Sequence, residues 1–207
     1  MAVLSATPPL DLRARRRNAT RIEIREAALA LFEQQGVDNT TSEEIARAAG
    51  ISQRTFFRYF ATKEECVLFD SFGFDEAVHS CLETADMQSL SLTDMQTAIG
   101  RVMEDIRNDE QSEVAATALR IQKLVSADAA LSRAALAHYA DNTKRSMALI
   151  EGRGQAGDRS RVRTIVQIAQ VSVQLAFEEW VEACAPNGGD SDLASIYHAV
   201  CARIRTL

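Results

Sequence analysis

Proline is almost missing from the body of this chain. Its 207 residues contain three, Pro8, Pro9 and Pro186, so residues 10–185 run without the strongest helix breaker. Glycine is also sparse, at nine, and aromatics make up 6%. No run of 18 apolar residues exists, which excludes a membrane-spanning helix. Residues 1–19 do not read as a secretory leader, because the arginines follow the short apolar patch instead of preceding it. Cys66, Cys81, Cys184 and Cys201 form no C-x-x-C pair. Their spacing excludes a disulfide framework or a zinc site and fits reduced thiols in a cytoplasmic protein. His79, His138 and His198 are the only histidines, and none lies in an H-x-x-x-H pair. There is no nucleophile elbow, Walker loop or G-x-G-x-x-G. An enzyme, a metal and a cofactor are therefore not expected.

What remains is alanine-rich and ordinary for a globular chain, with 46% apolar and 25% charged residues. A chain this long buries about 70% of its unfolded surface and needs no staple. The composition predicts an all-α fold of about nine helices. Residues 1–12 read as a disordered tail. A first helix is expected from about Arg15 to Gln35, with Ile24, Ala27, Ala28, Leu31 and Phe32 at helical spacing and Gly36 as its stop. Thr41 followed three residues later by Glu44 is a capping box that starts a second helix, ending at Ala49. Ser52 can cap a third helix through Phe60, and Thr62 can cap a long one over 63–85. Further helices are expected over 92–108, 112–126, 128–151, 158–184 and 191–206, with loops at 88–91, 152–157 and 186–190.

The net charge of -6 is unevenly placed. Residues 1–65 carry ten Lys/Arg and nine Asp/Glu, whereas residues 66–207 carry thirteen and twenty. Arg13, Arg15, Arg16, Arg17, Arg21 and Arg25 stand close together with one acid, Glu23, among them. A basic arm on an acidic body suggests a local polyanion contact, and a solvated helix start is the alternative.

Residues 40–59 read as helix, tight turn and helix. Ile45 and Ala46 face inward, small Ala49 permits close approach, Gly50 makes the left-handed turn, and Ile51 fills the space behind it. Ser52 leaves Gln53, Arg54 and Thr55 on the first turn of the second helix, where a recognition helix presents side chains to base edges.

With these residues in place, the stretch from Arg21 to about Phe69 resembles the DNA-binding domain of the TetR family of bacterial transcriptional regulators. The resemblance rests on Ala27, Ala28, Leu31, Phe32 and Gly36, then Thr41, Ile45, Ala46, Ala49, Gly50, Ile51 and Ser52, then Phe56, Tyr59, Phe60, Lys63 and Glu64. It implies a helix-turn-helix domain over 13–65, with the motif at 40–59, and an effector-binding and dimerisation domain over 66–207. By the same resemblance Thr41 and Lys63 contact phosphates, and Gln53, Arg54 and Thr55 face bases and backbone. Tyr59 lies against the backbone. Arginine can pair with guanine and glutamine with adenine, which makes Arg54 and Gln53 the candidates for sequence reading. Phe57 stands where many members have tyrosine, so its ring can pack on the sugars without the hydroxyl bond. Arg58 is exposed either to phosphate or to water, Ser52 completes the candidate set, and Phe56 and Phe60 belong in the core. The implied partners are an operator in double-stranded DNA, a small-molecule effector and a second copy of the chain.

The later helices add their own pattern. In 158–184 the apolar residues Ile165, Val166, Ile168, Ala169, Val173, Leu175, Ala176, Phe177 and Trp180 cover roughly 200° of the circumference, where a one-sided helix needs about 100°. The surplus suggests a partner subunit as well as the chain's own core, and Leu193, Ile196, Tyr197, Val200, Cys201 and Ile204 extend it. Arg163, Gln167, Gln170, Gln174 and Glu178 form a polar stripe read as solvated. Candidate effector contacts are Met95, Ile99, Met103, Leu119, Leu124, Tyr139, Met147, Phe177 and Trp180. The pattern Arg120, Leu124, Leu131 and Trp180 resembles regulators of hydrophobic or acyl-type ligands. The expectation is a homodimeric repressor released by an effector; the alternative is a helical small-molecule or partner-binding protein without specific DNA binding.

Overall fold

The computed structural model describes residues 12–70, 72–108, 114–152, 159–184 and 192–207. Ten helices stand among them, and no strand. They are α1 (Leu12–Gln35), α2 (Ser42–Ala48), α3 (Gln53–Tyr59), α4 (Glu65–Leu68), α5 (Phe74–Thr84), α6 (Leu92–Asn108), α7 (Val114–Ala127), α8 (Ala129–Gly152), α9 (Arg159–Ala183) and α10 (Leu193–Arg205). The expected loops over 152–157 and 186–190, apart from Gly152 at the end of α8, lie outside the described residues, as does the expected tail apart from Leu12, which opens α1.

The chain divides into two compact units, Met1–Phe69 and Asp70–Leu207. The sequence placed this boundary at residue 65. The difference has a packing cause: Phe69 is buried, with its ring 5.5 Å from Phe60 and the Arg21 guanidinium 4.2 Å above it. The first unit is α1 to α4 around Ile24, Ala28, Leu29, Phe32, Ile45, Ala46, Phe56 and Phe60.

The single helix expected over 63–85 is two helices. Gly73 adopts φ +92°, a conformation that L side chains rarely take, and the chain turns there. Asp70 makes the break stable. Its carboxylate accepts from the backbone N–H of Phe72, Gly73 and Phe74 at 2.9–3.2 Å and from Asp75 at 2.8 Å. Those amides are the otherwise unpaired donors at the start of α5.

The second unit packs α5 to α10 around one apolar core. Met95, Ile99 and Met103 of α6, Met147 of α8, and Val166, Phe177 and Trp180 of α9 all lie in it. The α6 backbone approaches α10 at Gly100, where an added Cβ would stand 3.3 Å from His198 Cε1. A buried polar cluster crosses the same core. Gln96 Nε2 donates to Ser172 Oγ at 3.1 Å, and the Tyr197 hydroxyl donates to the Gln96 carbonyl at 3.2 Å. Arg161 at the start of α9 donates to the carbonyls of Met87, Gln88 and Leu90, which ties the α5–α6 connection to α9.

A second polar network joins α5 to α8. Asn142 Nδ2 donates to Asp75 Oδ1 at 2.6 Å, Arg145 donates to Asn142 Oδ1, and the Arg145 guanidinium lies 3.6 Å from Asp75 Oδ2. Burial first, and then the charge of Asp70, push the Asp75 carboxyl above the usual aspartate range, while His138, Arg145 and His79 pull it down. An acid raised in the fold carries stability that is complete below its unfolded value and lost as pH rises through its folded value. Asp75→Asn should therefore gain stability relative to the natural chain as pH rises from about 3 to 7, read by urea unfolding at each pH. An identical pH slope in both proteins would show that Asp75 titrates as it does in the unfolded chain.

Candidate nucleic-acid interface

The site is built on the smallest helices of the chain. α2 and α3 have seven residues each, too few to hold on their own in water. Side-chain caps and buried anchors supply what length cannot. At α2 the Thr41 N–H donates to Glu44 Oε2 at 2.8 Å, and the Glu44 N–H donates to Thr41 Oγ1 at 3.2 Å. The bond from the Thr41 N–H first, and then one that the Thr41 hydroxyl donates to Glu44 Oε2 at 2.8 Å, hold the Glu44 carboxyl below the usual range. At α3 the Thr55 N–H donates to Ser52 Oγ at 3.1 Å. Between the two helices Gly50 takes φ +68°, and the Ile51 N–H donates to the Ala46 carbonyl at 2.9 Å.

One residue fixes which way α3 faces. Phe56 is fully buried, with its ring 6.1 Å from that of Phe60. With Phe56 inward, Gln53, Arg54, Phe57 and Arg58 are exposed, and Thr55 and Tyr59 are half-buried. Phe57 is 51% exposed and stands edge-on to Phe56 at 5.4 Å. The Arg58 guanidinium lies 5.3 Å from the Tyr59 ring centre. Gln53 makes one long bond, 3.5 Å to Ser42 Oγ. Arg54 projects into solvent with no bond or ion pair among the described residues. Thr41, Ser52, Gln53, Arg54, Phe57 and Arg58 are thus each exposed to solvent.

Lys63 has partners inside the unit that its sequence position does not indicate. Its ammonium is half-buried and donates to the carbonyls of Val37 at 2.5 Å and Thr40 at 2.8 Å. These carbonyls belong to the connection between α1 and α2, so Lys63 ties the start of α4 to it. The partners lie 26 and 23 residues away and are backbone atoms, which leave no mark in side-chain spacing.

The basic arm is also shorter than the sequence suggested. Arg25 is buried and pairs with Glu26 at 3.2 Å, with its guanidinium 5.5 Å from the Phe69 ring. Arg21 stacks over Phe69 and Phe60. Arg13, Arg15, Arg16 and Arg17 remain exposed on the first turns of α1. Arg47 is exposed and pairs with Glu43 at 2.9 Å, one turn away on α2.

The expected effector contacts are mostly core. Met95, Ile99, Met103, Met147, Phe177 and Trp180 are buried in the second unit, and Leu119 and Leu124 are half-buried. Tyr139 alone among the nine lines a described cleft. The polar stripe on α9 is not simply solvated: Gln170 accepts from Thr143 Oγ1 at 2.9 Å and donates to the Tyr139 carbonyl at 3.3 Å. Among the described residues no three His, Cys, Asp or Glu side chains converge to hold a metal ion, and no helix is long and apolar enough to cross a membrane.

A four-helix unit that exposes a short, capped helix across a glycine turn, followed in the chain by a separate helical unit, has the build of a helix-turn-helix transcriptional regulator. Known proteins give the family. The family model described as bacterial regulatory proteins, tetR family, matches residues 24–68. The chain is 32% identical over 172 residues to the HTH-type transcriptional regulator TcmR of Streptomyces glaucescens, covering 82% of this chain and 76% of TcmR. It is 47% identical over 49 residues to the regulator MftR of Mycobacterium tuberculosis, covering 24% of this chain and 25% of MftR. A solved TetR-family structure from Syntrophomonas wolfei shares the fold with a TM-score of 0.51 at 18% identity, over 91% of this chain and 94% of that one. The chain belongs to the TetR family of transcriptional regulators.

The position of Lys63 can be checked directly. Lys63→Ala should lower the unfolding free energy by about 1–3 kcal/mol, the cost of leaving two carbonyls without a charged donor. Unchanged stability with weakened DNA binding would instead give Lys63 to a phosphate.

Proposed function

We propose that this regulator is a homodimeric repressor that binds a palindromic operator and leaves it when a small-molecule effector binds. In this reading Met1–Phe69 reads DNA, and Asp70–Leu207 binds the effector and the second copy. The observation that carries it is the division of labour on α3. Phe56 and Ser52 hold the helix, while Gln53 and Arg54 stand exposed on its first turn with little structural work to do. In a major groove these two side chains reach base edges, with Arg54 suited to guanine and Gln53 to adenine. Thr41 and Tyr59 flank them and suit phosphate contacts, as does Arg58, whereas Phe57 offers a ring to the sugars.

Dimerisation is supported by what the α9 core leaves over. Ile165, Val166, Ala169, Val173, Ala176, Phe177 and Trp180 are buried in the chain's own core, yet Val171 is 45% and Leu175 36% exposed. One turn apart on α9, they make a small apolar face of the kind that a two-fold interface covers. Two reading helices in successive grooves of one operator would then stand about 34–36 Å apart.

Selection of bound duplexes from a random-sequence pool near physiological salt should recover a palindrome. Arg54→Ala should relax one position of it at a cost of about 1–3 kcal/mol. Recovery of no sequence, with binding that disappears as salt rises, would leave a helical ligand-binding protein whose arginines bind DNA without reading it. Leu175→Glu should convert the dimer to a monomer in light scattering with the helical content kept; a dimer that survives would place the interface elsewhere.

A further inference from the structure

A small cleft in the second unit ends on a buried acceptor that no described residue satisfies. It lies between α6 and α10 and has a volume of about 190 Å³, below the roughly 300–1,000 Å³ of drug-sized ligand sites. Gln96 and Cys201, both buried, form its floor, and Arg101, Glu104, His198 and Arg205 stand around its rim. Gln96 is 2% exposed, and its amide has a fixed direction. Nε2 donates to Ser172 Oγ, and the single proton of that hydroxyl goes to the Ile168 carbonyl at 2.9 Å. Ser172 can therefore only accept from Gln96, and the amide cannot turn over. Its other end, Oε1, is buried and accepts no hydrogen bond among the described residues. Buried acceptors are nearly always paired, so this one calls for a donor from outside the chain.

The rim supplies charge. Arg101 on α6 and Arg205 on α10 are exposed on opposite walls, and neither makes a hydrogen bond or an ion pair among the described residues. The one acid of the lining, Glu104, is matched by His198, whose Nε2 lies 3.3 Å from Glu104 Oε1. Burial raises the Cys201 thiol above its ordinary range, and Arg205 is among the groups that pull it back, so charge from the rim reaches the floor. The cleft also stands clear of the face given above to a second copy. Arg203 pairs with Glu179, which turns that side of α10 toward α9. Arg205 lies about 200° further round the helix, in line with His198 and Cys201 on the side toward α6. The cleft thus opens on the side of α10 away from α9, the helix on which Val171 and Leu175 stand.

We propose that the α6–α10 cleft binds short dicarboxylic acids that carry a hydroxyl group. Each guanidinium takes one carboxylate through its paired N–H donors, and the hydroxyl between the carboxylates donates to Gln96 Oε1. A plain anion would satisfy the arginines and leave Oε1 unpaired. A neutral alcohol would pair Oε1 and leave both arginines empty. The assignment concerns the second unit alone and does not rest on the repressor reading.

Matched acids test the two parts separately. Calorimetric titration of the full chain should show one enantiomer of malate binding about tenfold or more tightly than succinate, which differs only in lacking the hydroxyl. Sulfate, which carries the same charge, should bind no better than succinate. Arg101→Gln and Arg205→Gln should each weaken malate by about tenfold or more while leaving the thermal midpoint near its original value, because both side chains are exposed. Arg133→Gln, an equal loss of charge at an exposed position of α8, should leave malate binding unchanged. Malate bound no more tightly than succinate or sulfate would show attraction by charge alone and overturn the assignment. Malate binding that survives both cleft substitutions would overturn it as well, as would no binding of either enantiomer.

Discussion

The exposed face of α3, proposed above to read DNA, depends on the burial of one phenylalanine. A seven-residue helix has almost no stability of its own, because forming its first turn costs more backbone entropy than its few bonds return. α3 exists because Phe56 is fully buried beside Phe60 and because Ser52 pairs an amide that the helix itself cannot. Both constraints act from the inner face or the first turn. They leave Gln53 and Arg54 exposed in a defined direction, since the helical repeat fixes where each residue must point once Phe56 points inward. Orientation of Gln53 and Arg54 is thus a consequence of packing, and their chemistry is free to vary without disturbing it.

The same unit sorts its cations by what surrounds them. Arg21 and Arg25 carry long apolar stems and flat guanidinium groups, and both are drawn over the Phe69 ring. Lys63 is a compact donor, and the connection after α1 offers it two carbonyls at bonding distance. Arg13, Arg15, Arg16 and Arg17 are exposed at the start of α1. Charge counted along the chain assigns all of these residues to one basic region. Packing divides them into residues that build the head and residues that can attract DNA.

This division marks what a sequence can and cannot carry. The capping box at Thr41 and Glu44, the cap at Ser52, the turn at Gly50 and the inward Phe56 are all local patterns, and each stands where the spacing predicts. The break at Gly73 was also written locally, as an aspartate three residues before a glycine, but the helical run on either side masked it. The Lys63 bonds and the stacking of Arg21 over Phe69 join residues more than 20 positions apart and leave no local trace. The expected effector contacts are hard to separate from core by spacing for a further reason. Met95, Ile99, Met103 and Trp180 occur at helical spacing because they fill a core, and methionine and tryptophan suit a core as well as a pocket.

For an effector to act, its binding must favour one arrangement of the protein over another, and only by the difference in its affinity for the two. α8 is placed to carry such a difference within the second unit. Its Leu136 and Tyr139 line a cleft between α7, α8 and α9, and one turn further on its Asn142 holds Asp75 of α5. Asp75 in turn donates its backbone N–H to Asp70, the first residue of the second unit. A shift of α8 by a fraction of a turn would alter the Asn142–Asp75 bond before it disturbed the apolar core, since a hydrogen bond weakens steeply once its geometry is lost. Moving a population from about 1:99 to 99:1 takes a preference of about 10,000-fold. One hydrogen bond cannot supply that, so the network between α5 and α8 can act only as the point where the preference is passed on. The preference itself must come from the area that an effector covers in one arrangement and not in the other.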